Sequence, residues 1–269
     1  MIKEFITVSV LTIIIFCLLV YIFQRYLIYY PDKSKPSLQN FQAIAMQELV
    51  LSASDGLSLI AWYKPAVDNQ ATIVYFHGNA GNISYRMPFA KYFIAKGFGI
   101  LLLEYRGYGG NKGSPTEQGL YADARAAMEF LQQKGIKPEQ TIIFGESLGT
   151  SVATKMAEEH PSCALILQSP FTALVDVAQY HYPWMFIGPW DKFNTLERIT
   201  KINTRLLIIH GSKDQIVPFH LGKKLFEAAN QPKEMLVIKH KRHNDLWNLE
   251  FFTNVLRFME EHCSPDKDH

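Results

Sequence analysis

Residues 141–159 read TIIFGESLGTSVATKMAEE, and no other stretch restricts the fold as tightly. Residues 141–144 have the apolar, β-rich character of a short buried strand, residues 145–149 form a tight turn, and residues 150–159 have helical spacing. A serine therefore sits at the apex of a strand-turn-helix unit. A side chain on so sharp a turn is held at strained backbone angles, and its neighbours two residues away must lack a Cβ. Gly145 and Gly149 stand at those two places. The same geometry would lift the Ser147 hydroxyl to the end of the strand. It would also aim the first free N–H groups of the helix, with the positive end of its dipole, at the space beside that hydroxyl. The bland alternative is a chance pair of glycines in an ordinary turn; the strand before and the helix after weigh against it.

The chain of 269 residues, 48% of them apolar, is long enough for one large α/β domain or two small ones. A formal net charge of +2 without a basic run argues against nucleic-acid binding, which needs clustered Lys and Arg in larger excess. Cys17, Cys163 and Cys263 are too few and too scattered for a disulfide framework or a zinc site. No metal or cofactor is implied.

Residues 5–23 form an uncharged run of about 19 residues, enough to cross the hydrocarbon core as a helix. No small-residue cleavage site follows; Tyr21, Gln24, Arg25, Tyr26, Tyr29 and Tyr30 follow instead and resemble an interfacial belt. An uncleaved single-span anchor over residues 1–24 is expected, with a signal peptide or a buried helix as alternatives. Lys3 precedes the span and Arg25, Lys33 and Lys35 follow it, which places the large domain in the cytoplasm by the charge rule, whereas a very short N-terminal tail commonly stays inside. Residues 31–37 have the Pro, Ser and charge of a linker and no hydrophobic period, so residues 25–45 read as a juxtamembrane linker; residues 46–264 read as the globular domain and 265–269 as a polar tail.

The domain opens with β-rich stretches at 48–52 and 57–63 around an Asp55-Gly56 turn, so it begins antiparallel. Apolar runs at 72–76, 99–103, 141–144, 164–168, 205–210 and 234–239 then alternate with helical spacing near 83–96, 117–134, 150–160, 221–230 and 246–261. That alternation predicts a mostly parallel eight-stranded sheet with helices on both faces.

A serine hydroxyl needs a base within hydrogen-bond reach and a group that orients the base. Downstream, His210-Gly211-Ser212-Lys213-Asp214 ends one strand with a carboxylate, and Lys241-Arg242-His243-Asn244-Asp245 follows the next with a histidine. The chain order is Ser147, Asp214, His243, each at the carboxyl end of a strand. His77-Gly78-Asn79-Ala80-Gly81-Asn82 also ends a strand, and the N–H of Asn79 would face an oxyanion together with that of Leu148.

Together YFHGNAGN, EYRGYGGNKGSPTEQGL, FGESLG, IIHGSKDQIVP and HNDLW resemble the α/β-hydrolase superfamily. More narrowly the chain is similar to the membrane-anchored Bem46-like serine hydrolases and to the α/β-hydrolase-domain-containing proteins 13 and 17. The resemblance spans about residues 46–261 and includes the N-terminal apolar segment. It implies Ser147 as nucleophile, Asp214 as the acid, His243 as the base, and the backbone of Asn79 and Leu148 as the oxyanion hole. It also implies an acyl or lipid-like substrate, with ester or thioester cleavage first, a peptidase as the nearest rival, and a catalytically silent tethered module as the alternative of another class. Lys241 and Arg242 stand where the family usually has small residues, a departure that bears on the working pH.

Rival assignments remain. His240 is a second candidate base and Asp191 a second candidate acid, while His77 and His210 read as structural. Glu104, Arg106 and Gly107 are expected to brace the loop below the oxyanion site, and Cys163 to lie in the core. Residues 172–201 carry Tyr180, His181, Tyr182, Trp184, Met185, Phe186, Trp190 and Phe193 and read either as a cap over the site or as aromatics packed on the sheet or at a bilayer interface. Since the expected site lies beyond Ile73, removal of residues 1–30 is expected to leave a soluble domain active on small esters.

Overall fold

The structure, a computed structural model, describes residues 1–41, 46–184 and 188–263. The N-terminal apolar run is helix α1 (Ile2–Ile28), followed by a two-residue strand β1 (Tyr30–Pro31). The domain then runs β2 (Gln47–Ser52), β3 (Ser58–Lys64), β4 (Thr72–Phe76), β5 (Ala80–Gly81), α2 (Met87–Ile94), β6 (Gly99–Leu103), α3 (Glu117–Gln133) and β7 (Thr141–Glu146). It continues with α4 (Leu148–Glu159), β8 (Ala164–Gln168), α5 (Leu174–His181), α6 (Thr195–Ile199), β9 (Leu206–Gly211), α7 (Phe219–Ala228), β10 (Lys233–Ile238) and α8 (Leu249–Cys263).

Among the described residues, eight strands form one sheet in the order β10-β9-β8-β7-β4-β6-β3-β2. Only the β2–β3 and β3–β6 pairs are antiparallel. The remaining pairs are parallel, as the alternation of apolar runs predicts. Every residue of β4, β6 and β8 is buried, the signature of strands covered on both faces. One face carries α3, α4, α6 and α7, and the other carries α2 and α8. The helix expected over 83–96 is broken: a 3₁₀ turn (Ile83–Arg86) starts on the Asn82 side chain, which accepts from the Ser84 N–H, and Pro88 opens the α-helix proper.

The cysteines need a correction. Cys163 and Cys263 form a disulfide, with Cα atoms 5.4 Å apart, between the start of β8 and the last residue of α8. They are 100 positions apart, so no local spacing announces the pair, although Cys163 is buried as expected. Such bridges persist where thiols are oxidised.

The 27 residues of α1 extend about 40 Å at 1.5 Å per residue, enough for a hydrocarbon core of about 30 Å, and none of its apolar window is buried. The helix does not end in a free tether. The Gln24 side chain accepts the Trp190 N–H at 2.6 Å, and the Arg25 Nε and the Tyr29 hydroxyl both donate to Asp191 Oδ2 at 3.0 Å. Asp191 Oδ1 accepts the Glu117 N–H at 3.1 Å, at the start of α3. Tyr29 is 4% exposed and belongs to the core. Burial, then the charge of Asp191, push its phenol far up, so it stays a donor across the physiological range. Asp191 is thus a docking group for α1, not an acid facing a histidine. Removing residues 1–30 would strip a core side chain and two donors from Asp191.

Asp191→Ala leaves the Tyr29 hydroxyl and the Glu117 N–H without acceptors beside an unpaired Arg25. A loss of about 2 to 4 kcal/mol is expected, read as a fall of several degrees in Tm of the detergent-solubilised full chain. An unchanged Tm would mean that α1 is not docked through Asp191.

Candidate active site

From β4 the chain passes to β6 on one side, whereas β7 lies on the other side of β4. The loops leaving β4 and β7 diverge at that point and open a crevice at the carboxyl ends of the strands. Ser147 stands in it, between β7 and α4, at φ 51° and ψ −117°. This left-handed value is strained for a residue with a Cβ and persists only because the surroundings enforce it. The Ser147 N–H is held by the Gln168 carbonyl at 2.8 Å. A Cβ on Gly145 would lie 2.5 Å from the Gly149 carbonyl oxygen, and one on Gly149 would collide with the Phe76 carbonyl oxygen. Both glycines are therefore required by close backbone approach.

The structure brings Ser147, Asp214 and His243 together. His243 Nε2 lies 2.9 Å from Ser147 Oγ, and His243 Nδ1 lies 2.6 Å from Asp214 Oδ2. Asp214 Oδ1 accepts the N–H groups of Ile216 and Val217, each at 2.9 Å. Burial raises the Asp214 carboxyl, but hydrogen bonds from His210 and His243, the charge of His243 and the Val217 N–H outweigh it and hold the group well below the ordinary carboxylate range. An ionised Asp214 is acceptor-only, so the hydrogen it shares with His243 sits on Nδ1. That leaves Nε2 free to accept the Ser147 O–H. His210, read as structural, is buried with Nε2 3.3 Å from Asp214 Oδ2.

Asn79 and Leu148 border the same cavity as Ser147, and neither N–H donates to a backbone acceptor among the described residues. The Asn79 loop is fixed from three sides: its carbonyl accepts the Tyr108 hydroxyl at 2.8 Å and the Tyr30 N–H at 2.9 Å, and its side chain donates to the Ile28 carbonyl at 2.8 Å. His77 and Glu104 meet in the core beneath, at 3.3 Å, and Glu104 accepts the Ile83 N–H at 3.0 Å, the bracing expected of it. Arg106 is held instead by Asp123 and Asp55. His240 does not approach Ser147; it is exposed, at φ 63°, with its N–H on Ser212 Oγ. The Arg242 side chain, 75% exposed, pairs with Asp245 at 3.8 Å.

One feature of this crevice escaped the sequence. Glu146, next to the serine, receives two hydrogen bonds from Arg86 and one from the Tyr75 hydroxyl. Burial raises its carboxyl, and the Arg86 charge with these hydrogen bonds overcomes that and lowers it. A lone arginine in an apolar helical stretch was the signal available.

One cavity touches Ser147 and a second touches His243. An apolar one of about 500 Å³ touches Ser147 and Leu148 and is walled by α5 and the second half of α1. A more polar one of about 580 Å³ touches His243 and is walled by Asp32, Arg86, Glu146, Gln168 and Trp247. Tyr182 and Trp184 face the apolar cavity, as in the cap reading, while Phe193 packs in the core against Tyr121. Met185 and Phe186 lie outside the described residues.

Comparison with known proteins decides the family. A family model described as serine aminopeptidase, S33 matches residues 67–188, which takes in the serine turn and stops before Asp214 and His243. The Mycobacterium tuberculosis protein Rv2307c is 40% identical over 227 residues, covering 82% of this chain and 81% of its own. The human α/β hydrolase domain-containing protein 17B is 36% identical over 200 residues, covering 72% of this chain and 67% of its own. The chain belongs to the α/β-hydrolase superfamily. Its fold matches that of the Pyrococcus furiosus esterase Pf2001 with a TM-score of 0.74 at 19% identity, over 88% of this chain and all of that one. In this α/β hydrolase the eight-stranded, mostly parallel sheet is the one the sequence predicts, whereas the N-terminal helix runs past the expected boundary to Ile28.

Proposed function

We propose that this α/β hydrolase is a membrane-anchored serine esterase or thioesterase that cleaves acyl, lipid-like substrates through an acyl-enzyme. The observation that carries the proposal is the continuous hydrogen-bond relay from Ser147 through His243 to Asp214, opening directly on an apolar cavity. In this reading His243 Nε2 takes the Ser147 proton as Oγ attacks the acyl carbon, and Asp214 stabilises the imidazolium that forms. The N–H groups of Asn79 and Leu148 hold the tetrahedral oxyanion. His243 then returns the proton to the leaving oxygen or sulfur, and a water activated by the same nitrogen releases the acid. The apolar cavity beside Ser147 suits the acyl chain, and the polar one beside His243 suits the leaving group. The length and apolarity of α1 support the anchor.

The family description supports a second reading, a serine peptidase, since the same relay cleaves amides. Steady-state kinetics of the full chain on p-nitrophenyl esters, an acyl thioester and an aminoacyl amide separate the two. Turnover of ester and thioester with kcat/KM at least about a hundredfold above the amide is expected. Preference for the amide makes the protein a peptidase, and no turnover of any of them makes it a silent module.

A further inference from the structure

We propose that α1 is part of the acyl-binding site: one face of the membrane helix receives the substrate's acyl chain and sets its length, and the chain enters sideways from the bilayer. This rests on the serine hydrolase reading above and extends it to the substrate class, a long-chain acyl group resident in a membrane.

The apolar cavity that touches Ser147 is lined from α1 by Cys17, Val20, Tyr21, Gln24, Leu27 and Ile28. These positions recur at three and four, so they form one stripe on one face of the helix. The stripe is anchored at the site end, where the Ile28 carbonyl accepts from the side chain of Asn79. It is also held halfway along, where Gln24 accepts the Trp190 N–H and Tyr21 meets the Trp190 ring edge-on at 5.2 Å. Across the cavity stand Leu174, Val177 and Ala178 of α5.

From Ile28 back to Cys17 the stripe covers eleven residue steps, about 16 Å of helix. Its far end lies inside the uncharged run of residues 5–23, the portion of α1 suited to hydrocarbon. A groove that begins at a nucleophile and ends in the bilayer matches one ligand, a flexible apolar chain with its reactive carbonyl at the polar end. Moving such a chain through water would expose every CH₂ to solvent. Sliding it from lipid into a groove with one wall in the lipid avoids nearly all of that exposure. A helix serving only as an anchor would have no reason to turn a continuous stripe toward the serine.

The test uses the full chain reconstituted in phosphatidylcholine vesicles, with p-nitrophenyl butyrate, octanoate and palmitate as probes. Val20→Trp should lower kcat/KM for palmitate by about tenfold or more and leave butyrate within about twofold. Leu27→Trp, nearer Ser147, should also lower octanoate. Ile22→Trp, on a face of α1 that does not line the cavity, should change none of the three. Should Val20→Trp fail to enter the membrane, Cys17→Trp repeats the test, with the loss confined to palmitate. Equal losses at all chain lengths, or equal effects of Ile22→Trp and Val20→Trp, overturn the α1 site while the hydrolase reading stands. A wild type that turns over none of the three overturns both.

Discussion

Ser147→Ala is expected to lower kcat on a short-chain ester by about a millionfold, the scale of loss when an activated serine is removed. The fold should survive. Alanine keeps the Cβ that already sits at φ 51°, so no new backbone strain arises, and the Ser147 N–H bond to Gln168 is a backbone bond that the substitution leaves in place. Among the described residues, the only side-chain hydrogen bond deleted is the one to His243 Nε2. A residual rate above the uncatalysed reaction should persist, because the Asn79 and Leu148 N–H groups would still polarise a bound carbonyl. Measured kcat and Tm together decide the point: a variant that keeps more than about one hundredth of the activity removes Ser147 as the nucleophile.

The second large effect concerns the other two members of the relay. Asp214→Asn keeps an oxygen that can accept the Ile216 and Val217 N–H groups, so the turn holds. It replaces an acceptor by an amide donor opposite His243 Nδ1. The imidazole then favours the tautomer with hydrogen on Nε2, which cannot take the Ser147 proton, and a drop of about ten-thousandfold in kcat follows. His243→Ala should lose at least about a thousandfold, and His240→Ala no more than a few fold, because His240 is exposed and remote from the relay. The reverse ranking of the two histidines would overturn the assignment of the base. Asp214 also links stability to pH. Its folded carboxyl is held below the ordinary value, so its contribution is fully present above about pH 4 and is lost as pH falls further toward the folded value. Asp214→Asn should flatten that acid limb in urea-midpoint measurements.

The sheet was legible in the sequence because its central strands are buried on both faces and so appear as unbroken apolar runs. The serine turn was legible because Gly145 and Gly149 are required sterically by the backbone atoms of Phe76 and Thr150. Contacts between residues far apart in the chain were not legible. Arg25 and Tyr29 have the composition of an interfacial belt, and nothing local shows that both reach Asp191, 166 and 162 positions away. The Cys163–Cys263 pair and the Arg86–Glu146 pair were hidden for the same reason. A side chain's type predicts that it needs a partner; only the fold supplies which one. The linker expected over residues 25–45 illustrates this, since its polar composition conceals the last turn of α1, the buried Tyr29 and a strand that pairs with Ala80 and Gly81.

In the proposed mechanism Ser147 is an activated nucleophile at the head of an acyl groove. The most direct test is to treat the full chain in vesicles with a long-chain alkyl fluorophosphonate and map the adduct by peptide mass spectrometry. An unactivated serine reacts slowly with such a reagent, whereas one within hydrogen-bond reach of an oriented histidine reacts readily. A phosphonate on Ser147 in the wild type and none in the Ser147→Ala variant is the expected result. An unlabelled wild type, or an adduct that survives in Ser147→Ala, would contradict that mechanism.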